Sequence, residues 1–402
     1  MRISTKILHD RGSLAMQKGQ ARLMRTQEQL STGRRVNSPA DDPIAAASAM
    51  RLADTIAKNK QFLVNQAAAK NTLQYTESIV GAVGDSLQDV RERLVQGASS
   101  TLTDADRRSV ANDLRAAYQR LLELANSRDQ AGNYLFAGSK LTTQPFADDP
   151  AGALYYGDQG VRSTQVSPSR TLTTGANGAE LFLRVKTGNG IFTTQAAGTN
   201  TGTGVVDQGS VFDPSALTLD SFQIVFAVAG STTTYDVVNT TTATTVSSGN
   251  AFVSGTSIQI AGKQVAITGS PANGDTFSVT PSANQNVFTT LNQAIATLER
   301  PVSTLAYQAR FSNEIAGAMA SIDQAIEQAL VVRSQMGSNL REITSLEEST
   351  NGLQNALQAE LSGLVDLDYA QAISEFARQQ QALEAARDSY ARTMQRTLFD
   401  II

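Results

Sequence analysis

Apolar residues recur at alternating three- and four-residue intervals along two long stretches of this 402-residue chain. Between those stretches they recur every second residue, in short runs. In the first stretch Leu52, Leu73, Val80, Leu87 and Leu94 share one seven-residue register, and Phe62, Ala69, Thr76, Val83 and Val90 form its partner. Asn59 and Gln66 put polar side chains into the first register. This is the a/d pattern of a helical seam. No proline falls from Ile44 to Gln96 and no glycine before Gly81, so the pattern predicts one helix roughly 80 Å long at 1.5 Å per residue. Its start lies in SPADDP (38–43), where Ser38 or Asp42 can cap and Pro39 or Pro43 can take the first helical position. Asp41, Asp42 and Pro43 are therefore read as a helix-start motif.

A second helix is capped by Thr103 or Asp104 and carries Val110, Leu114, Ala117, Leu121 and Leu124. It stops near Asn126–Gly132, and NYLFAG (133–138) reads as a short strand. The carboxyl arm repeats the helical theme. Ile322, Ala329, Met336, Ile343, Thr350 and Leu357 share a register, partnered by Ala325, Val332, Leu346 and Leu353. Pro301 must interrupt whatever helix precedes it.

The middle of the chain has period two. FQIVFAVAG (222–230), TYDVVN (234–239), SIQIAGKQVAITG (257–269) and DTFSVTP (275–281) are β-branched or aromatic runs bounded by turn formers. Ile258 and Ile260, then Val265 and Ile267, alternate on either side of 261–264 and predict a hairpin. Composition sharpens the boundaries: residues 146–284 hold 17 of the 29 glycines but 14 of the 70 charged side chains. The expected fold is mainly α with an inserted all-β domain, a sandwich or small barrel. The inserted domain crowns an elongated antiparallel helical coiled-coil rod formed by both termini. A stretch such as 193–204 can also be read as a mobile linker.

Charge bears on pairing. Residues 1–145 carry 20 basic and 14 acidic side chains, and residues 285–402 carry 8 and 14. Two seams of opposite net charge are expected to pack together, with apolar burial supplying most of the stability. A two-helix rod is too narrow to bury every apolar position near the termini. Ile3, Ile7, Leu14, Leu23 and Leu30 on one arm, and Leu364, Leu367, Ile373, Phe376, Leu383, Leu398 and Phe399 on the other, are thus candidates for packing between subunits.

Chemistry is sparse. There is no cysteine, and His9 is the single histidine. That removes thiolate metal sites, disulfides, cysteine nucleophiles and multi-histidine centres within one chain. Asp41-Asp42 and Asp148-Asp149 are read as capping and turn residues, and Asp366 with Asp368 offers too few oxygens for calcium. Neither Gly-x-Gly at 188–190 nor that at 202–204 opens a helix after a strand. Arg34-Arg35 and Arg107-Arg108 are read as solvated pairs or intersubunit contacts. No catalytic, cofactor or metal site is expected, and no enzyme. A net charge of −4 does not suggest nucleic acid, no run is long enough to insert in a membrane, and the first twenty residues do not resemble a Sec leader.

QLSTGRRVNSPADDPIAAASAMRL (29–52) and LSGLVDLDYAQAISEFARQQQALEAARDSYARTMQRTLFDII (361–402) resemble the two terminal signatures of the bacterial flagellin family. Asp41-Asp42-Pro43, GNYLFAGSKLTTQPF (132–146) and the LFD ending are similar to the family's hook–filament junction members rather than its filament subunits. The final aromatic of that ending is absent here. The resemblance implies a structural ring subunit at the hook–filament junction, outside the cell. It would be exported by the flagellar type III route without a cleaved signal. It implies contacts with copies of itself, with hook-associated protein 1 and with flagellin, and a cytoplasmic export chaperone beforehand. It also implies three layers: 1–40 with 363–402 as the inner tube, 41–145 with 285–362 as the helical rod, and 146–284 outside. Alternatives are a filament flagellin, or an adhesin-type module carried on a helical stalk.

Overall fold

The computed structural model describes residues 5–395. Three helices come first: α1 (Thr5–Thr32), α2 (Pro43–Gly97) and α3 (Asp104–Ala125). Three more close the chain: α4 (Val287–Glu299), α5 (Leu305–Val365) and α6 (Tyr369–Gln395). Between α3 and α4 lie the strands. Two short antiparallel pairs come first, β1 (Phe146–Ala147) with β2 (Leu154–Tyr155) and β3 (Ser163–Ser167) with β4 (Arg170–Thr173). The others are β5 (Val185–Lys186), β6 (Phe192–Ala196), β7 (Val205–Val206), β8 (Ser210–Val211), β9 (Phe222–Ala229), β10 (Thr232–Asn239), β11 (Thr244–Ala251), β12 (Ser257–Ile260), β13 (Lys263–Thr268), β14 (Thr276–Pro281) and β15 (Asn284–Gln285). The expected class, a mainly helical chain with an inserted β region, is the one observed. Contacts divide the chain into two units, residues 1–65 with 345–402 and residues 66–344, and α2 and α5 each contribute to both.

In the unit of residues 66–344 the helical seam follows the sequence register. Ala69, Leu73, Thr76, Val80, Val83, Leu87, Val90 and Leu94 are all buried, as are Ile322, Ala325, Ala329, Met336 and Ile343 of α5. The helices run antiparallel, with Arg333 Nε 2.6 Å from Glu77 Oε1 and Arg91 Nε on Asp323 Oδ1. Gln66, a polar interruption in the pattern, is buried and donates from Nε2 to the Val166 carbonyl at 2.7 Å. Asn339 Nδ2 donates to the Thr173 carbonyl at 3.0 Å, and Arg170 pairs with Glu342 through two nitrogens. The β3–β4 hairpin is thereby tied to both helices, which explains the buried amides: each satisfies a hairpin carbonyl.

α3 begins with a capping box in which Thr103 Oγ1 accepts from Asp106 N and Asp106 Oδ2 accepts from Thr103 N. Arg107, expected in solvent or between subunits, is buried within the chain instead: it donates to the Leu102 carbonyl at 2.8 Å and lies over the Phe311 ring. NYLFAG does not form a strand. Apart from one isolated bridge, Tyr134 with Arg128, the segment bends and turns, and Tyr134, Leu135, Phe136 and Ala137 are all buried. Phe136 joins Phe146, Phe182, Phe288, Tyr118 and Tyr155 in an aromatic core with ring centroids 5.0–5.7 Å apart. The Tyr155 hydroxyl donates to the carbonyls of Phe136 and Asp158, and burial pushes its pKa up to about 12.

The inserted region is a sandwich. A five-stranded sheet, ordered β11-β10-β9-β14-β6, faces a smaller sheet of β12, β13 and β7, with β8 also paired to β13. Phe192, Phe222, Ile224, Phe226, Val237, Ile258, Ile260, Val265, Ile267, Phe277 and Val279 fill the space between them. The expected hairpin is present with a tighter turn: Ile260 pairs with Lys263, so the loop is Ala261-Gly262 alone. Both residues have positive φ, 46° and 75°, as a two-residue turn matching the strand twist requires. A Cβ on Gly262 would sit 2.3 Å from the Asp213 carbonyl oxygen. Residues 193–204 are built into the sandwich, where the Asp275 carboxylate accepts from Thr201 N at 2.8 Å and Gly202 N at 3.0 Å. Asn313 of α5 anchors the sandwich by accepting from Val206 N and donating to the Gly204 carbonyl.

The shortened turn moves Lys263 into the core, where 1% of it is exposed. Its ammonium stands 5.1 Å from the Phe222 ring centroid and donates to the Asp220 carbonyl at 3.3 Å. Burial lowers its pKa from the usual lysine value. Between the folded and the ordinary value the unfolded chain binds the proton and the folded domain does not, so stability rises with pH there. Lys263→Met is expected to stabilise the sandwich at pH 7 by on the order of 1 kcal/mol. The gain should shrink as pH rises towards the ordinary lysine value, as read from urea midpoints of both proteins; a gain that grows with pH contradicts the assignment.

Candidate assembly surface

The unit of residues 1–65 and 345–402 contains every described candidate for intersubunit packing. Its organising feature is the antiparallel pair α1 and α6. Gly12, Gly19, Thr26 and Gly33 lie seven residues apart on one edge of the amino-terminal segment. A Cβ on Gly12 would come within 2.7 Å of the Tyr390 ring, and one on Gly19 within 3.2 Å of Leu383 Cδ1. Thr26 Oγ1 donates to Gln379 Oε1 at 3.0 Å, and Gly33, at φ 70°, lies against the Tyr369 hydroxyl. Small residues on α1 thus receive large ones on α6, which brings the two backbones close. His9 stacks on Tyr390, and their side chains share a hydrogen bond. The sequence reading missed this row because it sought apolar side chains; the seven-residue spacing of small residues was the available signal.

The connectors between helices are braced against each other. Arg35 N donates to the Val365 carbonyl at 2.7 Å and Leu367 N to the Gly33 carbonyl at 3.0 Å. Arg35, expected in solvent or between subunits, also donates through its guanidinium to the Leu364 carbonyl at 2.6 Å and to Asp42 at 3.3 Å. Asp41 accepts from Ser38 N, Ser38 Oγ and Asn37 N, and Arg25 stands 3.5 Å away. These hydrogen bonds, led by that from Ser38 N, hold its pKa below the ordinary carboxylate value. Asp42 Oδ1 accepts from Ala45 N at 3.0 Å, and that bond lowers the Asp42 pKa. Pro43 is the first residue of α2. Asp42→Ala removes both the cap and an Arg35 partner. It is expected to cost about 1 kcal/mol and to speed amide exchange over residues 44–47, with exchange in the β sandwich unchanged. Equal exchange over 44–47 in both proteins refutes the capping role.

Farther along α2 and α5 the seam departs from its seven-residue register. Ile56 is buried where the register points to Thr55, and Gln354 is buried while Leu353 is 51% exposed. An α-helix drifts about 20° per heptad against a strict 3.5 repeat, and over several heptads this moves the buried position by a residue. Asn59 meets the drift by donating to the Thr350 carbonyl at 2.9 Å and to Gln354 Oε1 at 3.1 Å.

The candidates fall into two groups. Leu383 is buried against α1, and Leu23, Leu30, Leu364, Leu367 and Phe376 are half-buried. Ile7, Leu14 and Ile373 are 48%, 51% and 57% exposed. Ile3, Leu398 and Phe399 lie outside the described residues. Among the described residues no group of three or more His, Cys, Asp or Glu is placed to hold a metal ion, and no helix is long and apolar enough to cross a membrane. Asp368 Oδ1 accepts from Gln371 N at the start of α6, and Asp148 accepts from the Tyr118 hydroxyl at 2.7 Å.

With this geometry in place, comparison with known proteins is direct. The N-terminal helical region of bacterial flagellin matches residues 3–141 and the C-terminal helical region residues 319–399. Flagellar hook-associated protein 3 of Salmonella typhimurium is 26% identical over 402 residues, covering all of this chain and 99% of its own. The crystal structure of Xanthomonas campestris FlgL superposes with a TM-score of 0.71 at 31% identity, covering 77% of this chain and 99% of that one. The chain belongs to the bacterial flagellin family, in its hook-associated protein 3 branch. The flagellar junction protein FlgL of Legionella pneumophila agrees, with a TM-score of 0.72 at 29% identity over 79% of this chain and 99% of its own. Filament flagellins of Salmonella, by contrast, match over 129 residues, or 32% of this chain. The junction proteins are thus matched through the β insert as well as the arms, and this separates the branch from the filament subunits.

Proposed function

We propose that this chain is a structural subunit of the bacterial flagellum that forms the junction between hook and filament, a mechanical adaptor and not an enzyme. The observation that carries the reading is the end-to-end correspondence with hook-associated protein 3, insert included. Copies would pack through the terminal helices into a ring, with 1–40 and 363–402 innermost, 41–145 and 285–362 around them, and 146–284 outside. One face of the ring would meet hook-associated protein 1 and the other the first turn of flagellin. The partly covered apolar residues Ile7, Leu14 and Ile373 support such packing, because an isolated helix pair leaves them in water. Helical seams suit an adaptor: knobs-into-holes contacts accept related seams from different neighbours, whereas a polar site demands one geometry. Export would occur through the flagellar type III route without a cleaved signal, with a cytoplasmic chaperone covering the carboxyl-terminal seam beforehand.

The test is gold-tagged antibody against residues 146–284 on sheared flagella, viewed by electron microscopy. A single narrow band between hook and filament is expected. Label along the whole filament would make the chain a flagellin, and flagella without label would remove the flagellar role.

A further inference from the structure

The sandwich brings a lysine, a carboxamide and a carboxylate together in its core, and the assembly role uses none of them. Lys263 opens β13 in the smaller sheet and is 1% exposed. Asn239 closes β10 in the larger sheet and is 7% exposed. Asn239 pairs with Phe222 of β9, and directly opposed residues of an antiparallel ladder share a face. The Phe222 ring is therefore flanked by both groups. The Asn239 side chain reaches it from the neighbouring strand. The Lys263 ammonium, 5.1 Å from the ring centroid, reaches it from the other sheet. Asp220 bonds to both: its carbonyl accepts from Lys263 Nζ at 3.3 Å, and its Oδ2 accepts from Asn239 Nδ2 at 3.0 Å. Asp220 is half-buried and so keeps some contact with water. Asn239 Oδ1 accepts from two backbone amides, Thr241 N and Thr242 N, each at 3.0 Å.

Each part suits a step of acyl transfer. An amine desolvated beside aromatic rings spends more of its time neutral, and only the neutral form is a nucleophile. Burial lowers the Lys263 pKa despite the nearby Asp220 carboxylate. Two N–H groups on one carboxamide oxygen polarise its carbon and can receive the oxyanion that attack creates. A carboxylate already bonded to the amide nitrogen can carry a proton to it. We propose that Lys263 and Asn239 join in an intramolecular isopeptide bond, with Asp220 as the proton carrier. The flexible stem of Lys263 turns Nζ from the Asp220 carbonyl to Cγ of Asn239. The Nζ–Cγ bond forms, Asp220 takes a proton from Nζ and passes it to Nδ2, the Cγ–Nδ2 bond breaks, and ammonia leaves. A primary amine and a primary amide thus give a secondary amide and ammonia, and the balance needs neither oxidant nor reductant. Confinement in one core supplies the proximity that such a condensation lacks in solution. The product ties the larger sheet to the smaller and encloses residues 240–262, which carry β11 and β12, an edge strand of each sheet.

The reaction does not depend on the junction role. Intact mass spectrometry of the purified full-length chain tests it, on fresh protein and after prolonged incubation at mildly alkaline pH. The wild type is expected to become lighter than its sequence by one ammonia. Chymotrypsin cuts after Tyr235, Phe252 and Phe277, so the link should appear as residues 236–252 joined to residues 253–277. Trypsin should no longer cut after Lys263. Lys263→Met and Asp220→Asn should both keep their sequence mass. The stabilisation expected of Lys263→Met holds for the freshly folded, unlinked chain; once linked, the wild type should have the higher urea midpoint. A folded wild-type chain that holds its full sequence mass overturns the proposal, whatever the variants do. Ammonia loss that persists in Lys263→Met also overturns it, because that would be imide formation at an asparagine. Linking at the wild-type rate in Asp220→Asn would overturn the part assigned to Asp220.

Discussion

Leu383→Asp is expected to abolish incorporation into flagella while leaving the β sandwich folded. Leu383 is 7% exposed and fills the space that Gly19 leaves open on α1. A carboxylate there would lose the leucine's packing and be buried against a helix edge, at a cost of about 3 kcal/mol. The α1–α6 pair has little to set against that cost. Helices of 28 and 27 residues depend on packing rather than propensity for most of their stability in water, and the described contacts between these two form a single seam. A loss of about 3 kcal/mol corresponds to roughly a hundredfold fewer paired molecules. Immunoblots of sheared flagella should show the variant absent, and thermal unfolding of the purified chain should keep its main transition, because residues 66–344 form a separate unit. Leu383→Met, which keeps volume and polarity, should incorporate normally. Normal incorporation of Leu383→Asp would mean that α1 and α6 need not pair for assembly.

Phe146→Ala should act on the other unit and more strongly on stability. Phe146 is fully buried at the centre of the aromatic core, with Tyr155, Phe182 and Phe288 at ring distances of 5.0, 5.2 and 5.6 Å. Its ends are also held: Asn126 accepts from Phe146 N at 3.0 Å and donates to its carbonyl at 2.9 Å. The neighbours are therefore fixed by their own contacts and cannot close the gap, which places the cost near the upper part of the usual range, about 3–5 kcal/mol. The expected result is a main thermal transition lowered by several degrees, with the α1–α6 pair unaffected. A change below about 1 kcal/mol, the size of an ordinary surface substitution, would show that this aromatic cluster does not hold the insert to the helices.

Most of the helical architecture was legible because it depends on a repeat. A seven-residue recurrence of Leu and Val specifies a buried face wherever the helix lies, and between residues 66 and 97 the buried positions are those of the register with Ser86 added. The cap at Thr103 and the break at Pro301 were legible because both act within a few residues. NYLFAG was misread for a related reason. Its aromatic and aliphatic content suits a strand, yet its burial is decided by Gly178, Tyr155 and Phe182, which arrive from 19 to 46 residues away in the chain. Lys263 was placed in the loop because the apolar alternation stops at Ile260 and resumes at Val265; the two-residue turn brings it into the ladder, beside the rings of Phe192 and Phe222.

The candidate surface divides in the same way. The sequence by itself determined that both arms hold more apolar side chains than two helices can cover, because surplus follows from composition and spacing alone. It determined that the arms differ in charge, and through its terminal motifs it pointed to the flagellin family. Only the tertiary structure decided which apolar residues are spent within the chain and which stay exposed. Leu383 is covered and Leu14 is not because Gly19 allows α6 to approach one edge of α1, leaving the edge with Arg11, Lys18 and Arg25 in water. That choice depends on contacts between residues more than 350 positions apart, and no periodicity read along a single helix contains them.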